Sequence, residues 1–274
     1  MTSHQPYTDS TSSDFSAIPG QPADVTGRYY VPCFPIGKGE TDYEKYLKTV
    51  ELLSLQKSLA EVVSPEEPLF QITHQASELW MKLMLLELDR ALQYMAEDKL
   101  QMACRSFRLV NDCQLVLMMQ VDLIGRHISV IEYGKIRLAL GQGSGMESPG
   151  FNWLLEKAPH IWSAFSAVLE RKQISLREIY LDYETHIELH TLAECLMDYD
   201  DLFHKWRAHH MALVTRTIGA ESNSLKGLST QVLQKGIKTR FFPELLDLRN
   251  TLTNESSVAY GGQPLAETMN QAAL

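Results

Sequence analysis

The stretch that decides the fold is LFQITHQASELWMKLMLLELD, residues 69–89. Written as an α-helix, it is apolar on nearly every side, and a helix of that kind is normally buried in a protein core. A histidine, His74, stands near its start. A polar ring inside a core needs a hydrogen-bond partner or a chemical role. The stretch therefore predicts a buried helix, and it raises the question of what His74 does there.

The rest of the chain continues the helical pattern, and the alternation typical of β-strands is nearly absent. Apolar residues recur at helical spacing over 43–62, 69–95, 99–140, 150–170, 176–219 and 226–250. The breaks between these segments are SPEEP (64–68), GQGSGMESPG (141–150) and ESNSLKG (221–227), which are rich in turn-forming residues. We predict an all-α fold with one helical domain at 28–254, a disordered N-terminal arm at 1–27 and a loose C-terminal tail at 255–274.

Composition and charge exclude several classes of protein. The 274-residue chain has 34 acidic and 25 basic residues and a net charge of −9, which argues against a nucleic-acid partner or an anionic membrane. No apolar run approaches the roughly 18 residues of a membrane helix. The N-terminus lacks the basic and apolar regions of a signal peptide. The four cysteines form no CxxC pair, so we expect reduced thiols and a cytoplasmic location.

A second histidine lies on an apolar helix face in YDDLFHKWRAHHMALVTRTIG, residues 199–219. The stripe through Tyr199, Phe203, Trp206 and His210 is three or four residues apart at each step, so these side chains share one face. That face is apolar except for His210. The neighbouring His209 falls about 100° away, on a mixed face. The pattern predicts that His210 points inward and His209 does not.

A further histidine pair, His186 and His190, has the i, i+4 spacing that can bind a metal. No third ligand is evident beside it, and the sequence has no pair of ExxH motifs such as a di-iron bundle requires. We interpret this pair as part of a solvated helix face.

Two histidines on two separate apolar helices, His74 and His210, allow two interpretations. Each can be a core histidine that is hydrogen bonded to a backbone carbonyl. Alternatively, the two can line an apolar pocket for a flat cofactor such as haem, with one histidine as axial ligand and the other on the opposite side. The spacing of the residues does not choose between these interpretations.

At these residues the sequence resembles the tryptophan 2,3-dioxygenase family, whose members are all-α haem enzymes that cleave the indole ring of L-tryptophan with O2. The similar blocks keep the family's order over about residues 42–252. They are DYEKYLKTVELLSLQ (42–56), LFQITHQASELWMKLMLLELD (69–89), IEYGKIRLALGQGSG (131–145), WRAHH (206–210), RTIG (216–219) and FFPELLDLRNTL (241–252).

The resemblance implies roles for residues on both sides of the cofactor. His210 matches the axial ligand of the haem iron, and Trp206 in the same motif is expected to contact the cofactor. His74 matches the distal histidine that hydrogen-bonds the indole N–H. Phe70 matches an aromatic residue packed against the substrate ring, and Tyr133 matches a tyrosine of the same pocket.

The resemblance also implies how the amino-acid part of the substrate and the neighbouring protomer are contacted. Arg137 matches the arginine that binds the substrate carboxylate, a task for which the guanidinium is suited by its bidentate hydrogen bonding. Ser224 falls where the family has a threonine that contacts the substrate ammonium and carboxylate. Tyr43, Tyr46 and Leu47 match residues that reach into a neighbouring active site. The resemblance thus implies a homotetramer in which N-terminal segments are exchanged.

Two loops depart from the family pattern. SNSLKGLS (222–229) stands in place of the glycine-rich GTGGSSG, and SGMESPGFN (144–152) stands in place of SGFQSxQ(F/Y)R. Glycine permits close backbone approach and hinge motion, so its loss changes how such a loop closes. We expect these changes to affect the substrate and the product rather than the binding of haem.

Together these observations predict an oxygenase that contains haem b and uses O2 to oxidise the indole C2–C3 bond of L-tryptophan to N-formylkynurenine. The alternative is a mono-oxygenating relative that converts L-tryptophan or a substituted tryptophan to a 2-oxindole-type product in secondary metabolism. A haem sensor and a helical scaffold without cofactor are further alternatives. The match at Arg137, Tyr133 and Ser224 argues against the sensor, because a gas sensor needs no carboxylate-binding group.

Overall fold

The computed structural model describes residues 37–141, 143–219 and 239–259. The arm expected at 1–27, the loop at 222–229 with Ser224, and residues 260–274 of the expected tail lie outside the described residues. The described part contains no β-strand, so the all-α prediction is confirmed.

The helices have the following bounds: α1 Asp42–Leu47, α2 Thr49–Leu53, α3 Glu67–Ala96, α4 Leu100–His127, α5 Val130–Ala139, α6 Pro149–Lys172, α7 Leu176–Leu181, α8 Ile187–Ile218 and α9 Pro243–Ala259. A 3-10 helix at Gly145–Glu147 precedes α6. The last helix continues past the expected domain boundary at 254, and Glu255 within it accepts two hydrogen bonds from Arg177, at 3.0 and 2.8 Å.

One long helix predicted at 99–140 is two helices, α4 and α5, with an angle of 112° between them. The break falls at Ile128 and Ser129. Ser129 caps α5 by accepting a hydrogen bond from the backbone N–H of Glu132, and its own N–H donates to Glu66 Oε2 at 2.8 Å. Sequence periodicity continues across this bend because both helices are amphipathic. The bend directs α5, with Tyr133, across the end of α3.

The chain divides after Leu55 into two compact units. In the first unit, Thr41 and Glu44 form a capping box at the start of α1. Hydrogen bonds from Thr41 and from the backbone of this turn lower the pKa of Glu44 to about 2. Helix α1 buries none of its residues: Tyr43 is 70% and Tyr46 88% exposed.

The second unit is built around α4, which packs along both α3 and α8, while α3 also packs along α6. The largest fully buried side chains of this core include Phe107, Phe165, Tyr199, Phe242, Met84 and Leu88. Asn111 and Gln114 of α4 donate hydrogen bonds to the backbone carbonyls of Cys195 and Tyr199 in α8, both at 3.3 Å. These contacts fix the rotation of α8 relative to α4.

Helix α3 is buried on one side only, which corrects the expectation drawn from residues 69–89. Met81, Met84 and Leu88 face the core, with exposed fractions of 5% or less. On the other side, Ile72, Leu79 and Leu86 are 52%, 54% and 53% exposed. Both faces of α3 carry apolar residues, but the described residues pack against only one of these faces.

Among the described residues, no single helix is long and apolar enough to cross a membrane, and only the bent pair α4 and α5 passes that test when its two helices are taken together.

The start of α6 approaches α3 closely at Gly150. A Cβ atom at this glycine would lie 2.8 Å from Glu78 Oε2 and 2.8 Å from Met81 Cβ, closer than real Cβ contacts allow. Glu78 also accepts a hydrogen bond from the Gly150 N–H at 3.0 Å. This contact fixes where the loop before α6 meets α3.

We expect Gly150→Ala to lower the free energy of unfolding by about 1–3 kcal/mol, because the added methyl overpacks this contact. Gly134→Ala in α5 is the matched control, since a Cβ there meets no atom within 4 Å; it should be neutral or stabilise by up to about 1 kcal/mol. Urea unfolding monitored by circular dichroism measures both. Equal stability of the two variants would contradict the close approach.

Candidate functional site

A cavity of about 370 Å3 lies among α3, α4, α5, α6 and α8. Its size is within the range of ligand-binding clefts, roughly 300–1,000 Å3. Most of its wall is apolar and includes Met81, Val121, Ile124, Leu155, Leu213 and Val214. The residues of the sequence-predicted site that line it are Phe70, His74, Tyr133, Trp206 and His210.

Helix α3 contributes one wall, because Phe70, His74, Ser77 and Met81 recur at steps of three or four residues. The Nδ1 atom of His74 is 2.7 Å from the backbone carbonyl oxygen of Phe70. A carbonyl oxygen only accepts, so Nδ1 carries the proton and, in the neutral ring, Nε2 is left as an acceptor. The ring of Phe70 lies against that of His74, with 4.0 Å between centroids.

The environment of His74 favours its neutral form. Burial lowers the pKa of His74 below its usual value, while the Phe70 carbonyl and the negative charge of Glu78 oppose that shift without reversing it. The hydrogen bond to Phe70 is the one expected for a core histidine, but His74 is exposed and is not enclosed in the core as its helix predicted. The ring lines the cavity, and the hydrogen bond orients it with the second nitrogen available.

Helix α8 contributes another wall with Trp206 and His210. The two rings are parallel, with centroids 5.3 Å apart and an interplanar angle of 4°. Burial, with a smaller contribution from the charge of His74, lowers the pKa of His210 to about 4. With its pKa lowered in this way, the imidazole of His210 is neutral at pH 7 and keeps the lone pair that a metal ligand requires.

The adjacent His209 lies outside this cavity. Its Nδ1 is 3.2 Å from Asp122 Oδ1, and its side chain is 45% exposed. The helix-face argument therefore separates the two neighbours as the structure does. His190 of the other histidine pair packs against the rings of Tyr180 and Tyr183, at 5.0 and 5.6 Å. In the described part of the chain, no group of three or more His, Cys, Asp or Glu residues could hold a metal ion.

Of the residues expected to bind the amino-acid head group, only one lines the cavity. Tyr133 lines the cavity, and burial raises its pKa although the positive charge of Arg137 opposes the shift. Arg137 therefore lies near Tyr133, but it is half-buried and outside the lining of the cavity. Tyr43, Tyr46 and Leu47 belong to the first unit, where all three are exposed.

Sequence reasoning did not single out two residues of the wall, Glu78 and Arg207, whereas Met146, Ser148 and Phe151 lie in the loop that it had marked as altered. Glu78 accepts hydrogen bonds from Ser148 Oγ at 2.5 Å and from the Gly150 N–H at 3.0 Å. The sequence feature that could have identified Glu78 is its position one helical turn after His74, which places both side chains on one face of α3. The partners of Glu78 stand about 70 residues later in the chain, and periodicity cannot detect such a pairing.

The altered loop at 144–152 forms part of the cavity wall. Gly145, Met146, Ser148 and Phe151 all line it. Ser144 and Glu147 form a capping box in the 3-10 helix of this loop. Together with the contact at Glu78, this network holds the loop against α3. The loop is therefore part of the surface that an occupant of the cavity would touch.

The donor set of the cavity fits haem. One imidazole, at His210, is neutral and without a hydrogen-bond partner among described side chains. A flat aromatic ring lies parallel to it, and the surrounding wall is mainly apolar. The second histidine on α3 supplies a polar nitrogen to the same space. These are the features of a haem pocket with a proximal ligand and a distal donor or acceptor.

Comparison with known proteins agrees with this arrangement. The sequence profile of the family described as tryptophan 2,3-dioxygenase matches residues 34–158 and 169–252. The chain is 29% identical to the tryptophan 2,3-dioxygenase of Bacillus anthracis, over 78% of this chain and 94% of the relative. It is 29% identical to that of Myxococcus xanthus, over 78% and 91%, and 27% identical to that of Serratia proteamaculans, over 77% and 92%. Since the profile covers well over half of the sequence, the chain belongs to the tryptophan 2,3-dioxygenase family and is an oxygenase.

Proposed function

We propose that this chain binds haem b through His210 and uses O2 to oxidise the indole C2–C3 bond of L-tryptophan, giving N-formylkynurenine. The observation that carries this proposal is that two neutral histidines from different helices line one apolar cavity. The names of the relatives support the substrate and the reaction.

In this proposal His210 holds the iron, and Trp206 keeps the imidazole in place by stacking on it. The haem iron supplies the activation of O2. The protein contributes binding, orientation and the exclusion of water. The apolar wall of the cavity serves the last of these tasks.

His74 and Phe70 orient the indole. Because the Phe70 carbonyl holds the proton on Nδ1 of His74, Nε2 can accept a hydrogen bond from the indole N–H. The Phe70 ring provides an apolar surface beside it. Fixing the ring in one pose contributes to the rate by orienting the bond that reacts.

Arg137, Tyr133 and Ser224 are proposed to bind the amino-acid head group. The support for Arg137 is its position one helical turn after Tyr133, near enough for its charge to act on the phenol. A guanidinium gives a carboxylate two parallel hydrogen bonds. The role of Ser224 rests on the resemblance alone.

A second candidate function is favoured by the loop at 144–152. Here Met146 and Phe151 stand in a wall whose sequence differs from the family pattern. Small changes in a pocket wall alter discrimination between substrates by about 1–3 kcal/mol. The candidate is mono-oxygenation of L-tryptophan or a substituted tryptophan to a 2-oxindole-type product.

The proposed assembly is a homotetramer with exchanged N-terminal segments, and its location is proposed to be cytoplasmic. Exposed apolar residues support association. Tyr43 and Tyr46 are exposed in the first unit, and Ile72, Leu79 and Leu86 form an exposed stripe at seven-residue spacing on α3. Exposed apolar residues aligned on one face of a helix favour contact with another protein.

We expect His210→Ala to lose the haem spectrum and His209→Ala to keep it. Only the first imidazole lines the cavity, whereas the second is paired with Asp122 at its side. Absorption spectra of the purified variants test this assignment. A normal histidine-ligated spectrum in His210→Ala would refute the proposed ligand. If His209→Ala lost the haem spectrum instead, His209 would be the ligand.

The reaction is tested by supplying L-tryptophan and ring- or side-chain-methylated analogues with 18O2, and then weighing the products. The main proposal expects two labelled atoms in N-formylkynurenine, with L-tryptophan as the best substrate. One labelled atom in a 2-oxindole-type product, or a clear preference for a methylated analogue, would establish the second candidate instead.

We expect Leu79→Lys to weaken the assembly, because a charge replaces apolar surface in the middle of the α3 stripe. Leu181→Lys is the control, since Leu181 is similarly exposed at 59% but lies on α7, away from that stripe. Light scattering after size-exclusion chromatography gives the mass of each variant. An unchanged mass for Leu79→Lys would exclude this stripe as the contact surface.

A further inference from the structure

Arg207 is a cavity residue to which the sequence assigned no role. Among the described residues that line the cavity, it is the only lysine or arginine. We infer that the Arg207 guanidinium binds a carboxylate group of the molecule that occupies the cavity. This inference rests on the proposed haem function, because it concerns the occupant of the same site.

The guanidinium of Arg207 is held in place by contacts on several sides. Its Nη1 donates a hydrogen bond to the backbone carbonyl of Thr239 at 2.6 Å. Its central carbon lies 4.7 Å from the ring centroid of Phe203 and 5.0 Å from that of Phe241. Cation–π contacts of this kind help to hold a guanidinium in place. A preorganised, planar group of donors suits a carboxylate.

The charge of Arg207 is placed where an anion would be stabilised. Burial lowers the pKa of its guanidinium, and the attraction of Asp200 opposes that shift; arginine nevertheless stays protonated at neutral pH. The carboxylate of Asp200 already accepts the backbone N–H groups of Phe241 and Phe242, at 3.0 and 3.3 Å. In a mainly apolar wall, a positive charge is worth more to an anionic ligand than it is in water.

The opposite sign of charge lies on another wall. Glu78 of α3 lines the same cavity, and its oxygens are used by Ser148 and Gly150. A carboxylate in the cavity is therefore repelled from the α3 side and attracted to the α8 side. The two charges give the cavity a polarity that would orient an occupant.

Two sources of carboxylate could meet Arg207: the porphyrin propionates and the amino acid. Arg207 stands three residues before His210 on the same helix, whereas the arginine proposed for the amino acid, Arg137, is on α5. Their placement on one helix favours the porphyrin propionates as the source. Both sources share the chemistry of a carboxylate on a guanidinium, and the experiment separates them.

The first arm titrates the apo form of the full chain with ferric haem and with ferric haem dimethyl ester, which lacks free carboxylates. Absorption spectra give the two affinities. We expect the wild type to prefer haem by about 10–100-fold, the effect of a charge-assisted bidentate contact. Arg207→Gln should lose most of this preference, and Arg207→Lys should keep part of it. Arg216→Gln, an exposed arginine later on the same helix, should behave as the wild type.

The second arm compares the binding of L-tryptophan and tryptamine to the haem-loaded wild type and Arg207→Gln by difference spectra. We expect Arg207→Gln to keep the preference for L-tryptophan. Loss of that preference, with the discrimination between haem and its ester retained, would assign the carboxylate to the amino acid instead.

Equal affinity of the wild type for haem and its ester, with the L-tryptophan preference intact in Arg207→Gln, would overturn the inference and leave the proposed haem function standing. Failure of the wild type to bind either form of haem would overturn both. Retention of the full wild-type preference in Arg207→Gln, or in Arg207→Lys if the glutamine variant does not fold, would also overturn the inference.

Discussion

The structure depends on the packing of α4 between α3 and α8. The two helices that carry His74 and His210 pack along this one central helix. Asn111 and Gln114 of α4 bind backbone carbonyls of α8 and so fix its rotation. Since each histidine points from a helix whose rotation is fixed, the two imidazoles meet one cavity without any loop having to position them. A rigid scaffold of this kind gives a reactive site the precision that orientation of a substrate requires.

The mainly apolar surroundings of the two histidines control their chemistry. Burial is the main cause that lowers the pKa of both, and their mutual repulsion adds to the shift at His210. The hydrogen bond from His74 to the Phe70 carbonyl then decides which nitrogen of the neutral ring is the acceptor. One environment thus determines both the protonation state and the direction of the hydrogen bond.

Further parts of the wall come from the loop at 144–152 and the start of α6. The loop at 144–152 is held to α3 by Glu78 and by the tight contact at Gly150. Met146 and Phe151 are presented to the cavity from this loop and from the start of α6. The helix that would hold the cofactor and the loop proposed to influence substrate choice are therefore different segments of the chain. Such a division permits the outcome of a reaction to change while its cofactor site is kept.

The sequence by itself determined the all-α class and most helix positions, because burial of one face imposes a period of 3.6 residues that can be read locally. The same period distinguished His210 from His209, since neighbours on a helix point about 100° apart. It could not show the bend between α4 and α5, because an amphipathic pattern continues through a change of direction. It also could not show that one face of α3 is exposed, since hydrophobicity does not state what covers a surface. The pairing of Glu78 with Ser148 and the clasp of Arg207 by Thr239 and Phe241 join residues far apart in the chain. Only the tertiary structure decided these contacts, because they arise from the packing of whole helices and leave no periodic signal in the sequence.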